Sequence, residues 1–392
     1  MKDIASEGLR ELLRPELRSL RPYGAPQIDV PIRLNTNENA YEIPEKVAAK
    51  ISAALHEQVA DLNRYPDREF STLRASLASY LRSSCGAAIT PEQIWAANGS
   101  NEVIQHILQA FGGHGRRALG FVPSYSMHEL ISTATGTNWV NARRDRNFDL
   151  TARSAREQVR EHDPDIVFLC SPNNPTGTAL GPEVITEVLQ AARGIVVVDE
   201  AYFEFARSGT ASALLLLEEH PRLIVSRTMS KAFAFAGVRL GYLAADPAIT
   251  DMLRLVRLPY HLSSLTQAAA IAALAQSDVL LKTVQALCGQ RDRIAVSLTE
   301  FGLDPIPSDA NFVLFGGLPD APATWRALLA DGILVRDVAI SHHLRVSAGT
   351  EAETTAFLRA LAQHLGEAVD VIEQTKGIAS GLGPDFVDEE PA

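Results

Sequence analysis

A large α/β domain built on a mostly parallel sheet, with helices on both faces, is the fold that the 392-residue chain predicts. Three observations carry it. Short apolar runs at 118–122, 165–170, 195–198 and 223–225 recur between stretches of helical periodicity. Each run ends in polar or hydroxyl-bearing residues, and the chain is longer than one core normally supports. The expected division is an N-terminal helix and extended arm over 1–30, a large domain over 31–255, a smaller α+β domain over 256–370 and a disordered tail over 371–392.

Leucines at 9, 12, 13, 17 and 20 have near-helical spacing interrupted by Pro15, and Pro22 and Pro26 then force an extended arm. An arm without a core of its own is expected to lie on another domain or subunit. The polar knot Asn35-Thr36-Asn37-Glu38-Asn39 follows a short strand signal and suits either an Asn-built turn or a ligand contact. Amphipathic helices are expected around 48–55 and 70–81, separated by Asn63-Arg64-Tyr65-Pro66. The strand at 94–97 runs into Asn98-Gly99-Ser100-Asn101, which opens a helix with Val103, Ile104, Ile107 and Leu108 on its apolar face. Free amides at that helix start suit a phosphate or a self-cap.

The run at 118–122 places Tyr125 just past its carboxyl end, and the buried strand at 165–170 leads into Ser171-Pro172-Asn173-Asn174. The strand at 195–198 terminates in Asp199-Glu200-Ala201-Tyr202, and 223–225 delivers Ser226-Arg227-Thr228-Met229-Ser230-Lys231. In parallel sheets the ligand crevice lies beyond the carboxyl ends of the strands, and Tyr125, Asn174, Asp199 and Lys231 all fall there. Beyond Gly241 the pattern becomes helical over 247–258 and 264–299, followed by short strands around 311–314 and 344–346.

Composition narrows the partners. A hydrophobic fraction of 46% and a charged fraction of 21% fit an ordinary soluble globular protein. The net charge of −11 argues against nucleic acid, which needs a basic face. No apolar run approaches the about 20 residues of a membrane span, and Asp3, Glu7 and Glu11 leave no signal-like hydrophobic region, so a cytoplasmic protein without a membrane partner is expected. Three widely spaced cysteines suggest reduced thiols. His342 and His343 lack the spacing of a metal set, so no metal is expected, and Cys170 suits a small core residue.

Lys231 alone would be a solvated surface charge and Arg239 a salt-bridge partner of some carboxylate. Together with the strand ends they suggest more. A carbonyl cofactor with a phosphate handle and a ring nitrogen fits this crevice. Lys231 would form the imine, Asp199 would keep the ring nitrogen protonated, and Tyr125 would stack on the ring. Asn174 and Tyr202 would bond a phenolic oxygen, while Ser100, Asn101, Thr228, Ser230 and Arg239 would bind the phosphate.

Ser-Pro-Asn-Asn-Pro-Thr-Gly (171–177), Val-Asp-Glu-Ala-Tyr (198–202) and Arg-Thr-Met-Ser-Lys followed by Gly-Val-Arg-Leu-Gly (227–241) resemble the pyridoxal-phosphate aminotransferases of fold type I. More narrowly, Arg-Pro-Tyr23-Gly, Asn35-Thr-Asn37-Glu, Asn63-Arg-Tyr65-Pro and Ile-Leu-Val-Arg336-Asp with Leu-Arg345-Val resemble the histidinol-phosphate aminotransferases, over about residues 20–365. That resemblance implies pyridoxal 5'-phosphate and a homodimer in which Tyr65 reaches the neighbouring subunit's site. It also implies Tyr23, Asn37, Arg336 and Arg345 at the substrate, with the amino group passing between histidinol phosphate and 2-oxoglutarate. Only eight residues separate Arg336 from Arg345, fewer than in many members. Three alternatives stay open on the same scaffold: an aromatic amino acid aminotransferase, a phospho-amino-acid decarboxylase and a ligand-sensing regulator, the last lacking room for its DNA-binding domain.

Overall fold

In the computed structural model, residues 7–18, 20, 22, 24–367 and 370–379 are described. Near the N-terminus a single turn, α1 (Glu7–Arg10), and a 3-10 turn (Pro15–Leu17) replace the longer helix that leucine spacing suggested, because Pro15 denies the chain a continuous hydrogen-bond ladder. The arm then reaches β1 (Ile32–Arg33). Helices α2 (Glu45–Val59) and α3 (Ser71–Cys85) follow, burying Val47, Ile51, Leu73, Leu77 and Leu81 at the expected periodicity.

Seven strands form the central sheet: β2 (Ile94–Ala97), β3 (Arg117–Val122), β4 (Asn138–Arg143), β5 (Ile166–Cys170), β6 (Ile195–Asp199), β7 (Leu223–Thr228) and β8 (Gly241–Ala245). Their spatial order is β2-β8-β7-β6-β5-β3-β4. All pairs are parallel except the two that β8 makes, with β2 and β7. The connecting helices α4 (Ser100–Phe111), α5 (Ser126–Ala134), α6 (Ala152–His162) and α7 (Pro182–Ala191) cover the sheet. Strands β5 and β7 are buried along their whole length, as expected for a sheet covered on both faces. The register aligns Cys170 of β5 with Asp199 of β6, and Asp199 with Ser226 of β7. Three strand ends therefore meet at one edge.

After α8 (Pro247–Leu253), the stretch expected as one helix over 264–299 is three: α9 (Ser264–Leu274), α10 (Ser277–Leu280) and α11 (Lys282–Glu300). The first break falls at Gln276, whose φ of −122° and ψ of 21° leave the helical region. A second sheet joins β9 (Asp304–Pro305), β10 (Phe312–Gly316), β12 (Arg336–Asp337) and β13 (Leu344–Ser347), while β11 (Ile333–Leu334) pairs in parallel with β1. Helices α12 (Ala321–Ala330) and α13 (Glu351–Leu365) cover it, the latter opened by a Thr350 and Glu353 capping box.

Two apolar clusters lie behind these sheets, and α11 contributes to both, while Ala310, Phe312 and Ala348 beyond it pack with the first. Leu262, Ala270 and Leu287 pack with the large sheet. Ile294 and Leu298 pack with Phe315, Val346, Phe357 and, just after β1, Leu34. One long helix serves both cores. The expectation of a disordered tail from 371 also needs correction: residues Asp370–Ala379 form α14, with Ile372 fully buried against the second cluster. Ser297 and Thr375 hydroxyls meet at 3.0 Å, and Arg293 donates to the Ile372 carbonyl at 3.3 Å. An apolar anchor on α11 offsets what the glycine-rich composition suggested; residues 380–392 lie outside the described residues.

Candidate active site

Asp199 ends β6, fully buried, and its carboxylate is held at both oxygens. The Ser226 hydroxyl, aligned beside it on β7, donates to Oδ1 at 3.1 Å, and His128 Nε2 lies 3.1 Å from Oδ2. His128 is itself fixed, buried on α5 with its ring stacked on Phe168 at 4.7 Å. Sequence reasoning did not single out His128. The signal was there: it stands three residues after Tyr125, one helical turn away on the same face, and the two rings meet edge-to-face at 5.4 Å.

Lys231 follows β7 and points back across the crevice, where Nζ donates to the Thr36 carbonyl at 2.8 Å. Burial is the largest cause lowering its pKa from 10.5 to about 8; the Arg345 and Arg239 charges act in the same direction, and Glu38 opposes them. A neutral amine is thus accessible close to neutral pH. The polar knot supplies the Thr36 anchor and the Glu38 charge, so it belongs to the site rather than to a bare turn.

A polar cup lies at the N-terminus of α4. Gly99 adopts φ +86°, and a Cβ there would sit 2.6 Å from Arg239 Nη2, so the missing side chain admits the guanidinium. Likewise a Cβ on Gly241 would sit 2.1 Å from the Ser100 amide nitrogen. The glycines let β8 and Arg239 close against the helix start. Ser100, Asn101, Thr228, Ser230 and Arg239 line a cavity of about 250 Å3 that also includes Asp199 and Lys231. Thr228 and Ser230 hydroxyls share a hydrogen bond of 3.0 Å. The Tyr125 hydroxyl donates to Asn101 Oδ1 at 3.0 Å, standing its ring at the rim.

Tyr125 also lines a second cavity of about 210 Å3, with Asn174, Arg336 and Arg345. Arg345 and Arg336 face one another across the β12–β13 pair. The Arg345 guanidinium donates to the Asn35 carbonyl at 2.8 Å and to Asn174 Oδ1, and lies 5.0 Å above the Phe312 ring. Asn174 Nδ2 and Asn37 Nδ2 both donate to the Tyr202 hydroxyl, at 3.3 and 3.0 Å. Burial pushes the Tyr202 phenol up to about 12, which keeps its proton in place at neutral pH.

Most of the expected site residues converge on these two cavities, with three departures. Asn37, expected at the substrate, is fully buried and lines neither cavity; its amide is committed to Tyr202 and to the Ser347 hydroxyl at 2.9 Å, so it positions Tyr202 instead. Tyr65 is 79% exposed, stacked on Tyr260 at 4.4 Å and outside both cavities. Tyr23 lies outside the described residues. Cys170 sits on the cavity floor, and burial beside Asp199 pushes its thiol well up, away from nucleophilic use. His342 and His343 each bond a backbone carbonyl, and among the described residues no cluster of ligating side chains could hold a metal.

The profile of the family described as Aminotransferase class I and II matches residues 29–361. The histidinol-phosphate aminotransferase of Paenarthrobacter aurescens is 57% identical over 352 residues, covering 89% of this chain and 94% of that protein. That of Mycolicibacterium smegmatis is 54% identical, covering 90% and 93%. Among solved structures, the histidinol-phosphate aminotransferase of Sinorhizobium meliloti in complex with pyridoxal-5'-phosphate superposes with a TM-score of 0.79 at 25% identity, covering 92% of this chain and 98% of that one.

Proposed function

The chain belongs to the class I and II aminotransferases, and we propose that it transfers an amino group between histidinol phosphate and 2-oxoglutarate, with pyridoxal 5'-phosphate in the first cavity. The observation that carries this reading is the pairing of two cavities across one tyrosine. One holds an amine, a buried carboxylate and a phosphate cup; the other holds two arginines. The donor set fits the cofactor group by group: the α4 start, hydroxyls and Arg239 for phosphate, Asp199 for the ring nitrogen, Asn174 and Tyr202 for the phenolic oxygen.

Bound there, pyridoxal phosphate supplies the carbonyl that takes up the amino group and a ring that accepts the electron pair left at Cα. Lys231 Nζ would hold that carbonyl carbon covalently at rest and, as a base tuned towards neutrality, would carry the proton from the substrate Cα to the same carbon. Asp199, anchored by Ser226 and His128, holds a proton on the ring nitrogen. Arg345, already oriented by Asn35 and Asn174, presents a planar guanidinium that suits the donor's phosphate and the acceptor's carboxylate alike.

The second subunit is part of the same proposal. Leu255 is 85% exposed and Leu258 75%, close in sequence to Tyr260, whose ring stacks on the exposed Tyr65, and exposed apolar side chains of this kind suit a subunit contact. A second copy covering them would carry Tyr65 towards its neighbour's cup. Three unpaired cysteines accord with a cytoplasmic setting.

Arg345→Ala is expected to raise KM for histidinol phosphate and for 2-oxoglutarate together, each by about ten- to a hundredfold, the worth of a charged hydrogen bond. Steady-state kinetics with both substrates checks this; a loss confined to one would separate the two anion positions. The function itself is tested by competition. Imidazole-acetol phosphate should outcompete phenylpyruvate as amino acceptor from glutamate, and the reverse order would make the enzyme an aromatic aminotransferase.

A further inference from the structure

The second cavity carries a carboxylate that the reaction above does not use. Glu129 lies in the first turn of α5 and lines this cavity with Trp139, Tyr125, Arg336 and Arg345. Among the described residues no hydrogen bond or ion pair engages its side chain, although two guanidiniums line the same space. Trp139 reaches the cavity from edge strand β4 because Gly120 on β3 has no side chain: a Cβ there would lie 2.4 Å from the indole Cη2. The indole N–H is already committed to Asn141 Oδ1 at 2.7 Å, so Trp139 offers ring surface rather than a donor. The cavity thus has cationic groups, aromatic surface and one acceptor-only group.

We propose that Glu129, backed by the Trp139 ring, is the specificity residue of the amino-donor pocket: its carboxylate accepts a hydrogen bond from an N–H of a heteroaromatic substrate side chain. The inference rests on the function proposed above and deepens it, naming the group that tells an imidazole from a phenyl ring. The chemistry is selective for a physical reason. An imidazole presents one N–H when neutral and two when cationic, and it titrates close to neutral pH. A phenyl ring presents none, and placing it here would strip water from a carboxylate without replacing the lost hydrogen bond. A hydrophobic pocket alone separates two rings of similar size poorly; an acceptor on the pocket wall, exposed in the empty site and covered only when the ring docks, separates them better. The simpler role for Glu129 is to complement the dipole at the start of α5, which would be indifferent to the substrate's ring.

The test compares two amino-alcohol phosphates, histidinol phosphate and phenylalaninol phosphate, on the full-length holoenzyme and on Glu129→Ala and Glu129→Gln. The readout is the ratio of their kcat/KM values. In Glu129→Ala the ratio is expected to fall at least about tenfold, mainly through KM for histidinol phosphate, with Glu129→Gln intermediate because its amide oxygen still accepts. A helix-capping or folding lesion lowers both substrates together; an unchanged ratio in Glu129→Ala overturns the proposal. Failure of the wild-type enzyme to use histidinol phosphate at all would overturn the function first, and it is seen before any variant is made.

Discussion

Lys231→Ala is expected to abolish turnover, with a loss of at least about a thousandfold, since one side chain serves as both tether and base. The cofactor would still find its phosphate cup, because Ser100, Thr228, Ser230 and Arg239 are untouched. It would be retained without a covalent bond, so borohydride treatment followed by peptide mass analysis should find label on wild-type residue 231 and none on the variant. The pH dependence has a definite sign. A lysine whose pKa is lowered carries its neutral, reactive amine above about 8 rather than above 10.5. Capture of a small aldehyde by ligand-free protein should therefore rise through a midpoint near pH 8. Retained turnover in the variant would remove Lys231 from its role.

Asp199→Asn is the second large effect. The substitution keeps size and hydrogen-bonding reach, so the cofactor should still bind. The buried anion that favours a protonated ring nitrogen is gone, and the loss of such a placed charge costs about a hundred- to a thousandfold. Single-turnover rates with glutamate should fall by that amount while cofactor retention in gel filtration stays close to wild type. An unchanged rate would mean that the ring nitrogen does not depend on this carboxylate. The arrangement around it makes the expectation sharp, since Ser226 and His128 hold both oxygens and neither can take over a negative charge.

The strand ends were legible because the strands that carry them are buried on both faces and therefore read as unbroken apolar runs. Residues 165–170, 195–198 and 223–225 announced themselves in that way, and with them Asn174, Asp199 and Lys231. Edge strand β4 was hidden, because Asn138, Asn141 and Arg143 break its apolar pattern and three of its six positions are exposed. With β4 went Trp139. Strand β8 was hidden by its position, soon after the Ser226–Lys231 stretch, although it supplies Gly241 against the helix start. His128 and Asn37 show the same limit at the level of side chains. One supports Asp199 from helix α5 and the other supports Tyr202 from the segment after β1, across 71 and 165 residues of chain. Residue type alone does not reveal such pairings. The course of α14 depended likewise on a single buried isoleucine and its anchor on α11. Tyr65 belongs to another category, since within one chain it stacks on Tyr260 and stays outside both cavities.

The most direct measurement of the central claim is a half-reaction. Holo-protein mixed with histidinol phosphate alone, without any oxo acid, should lose the yellow absorbance of its cofactor and release about one equivalent of imidazole-acetol phosphate per subunit. An unchanged spectrum with no oxo product, from protein that still responds to glutamate, would contradict it.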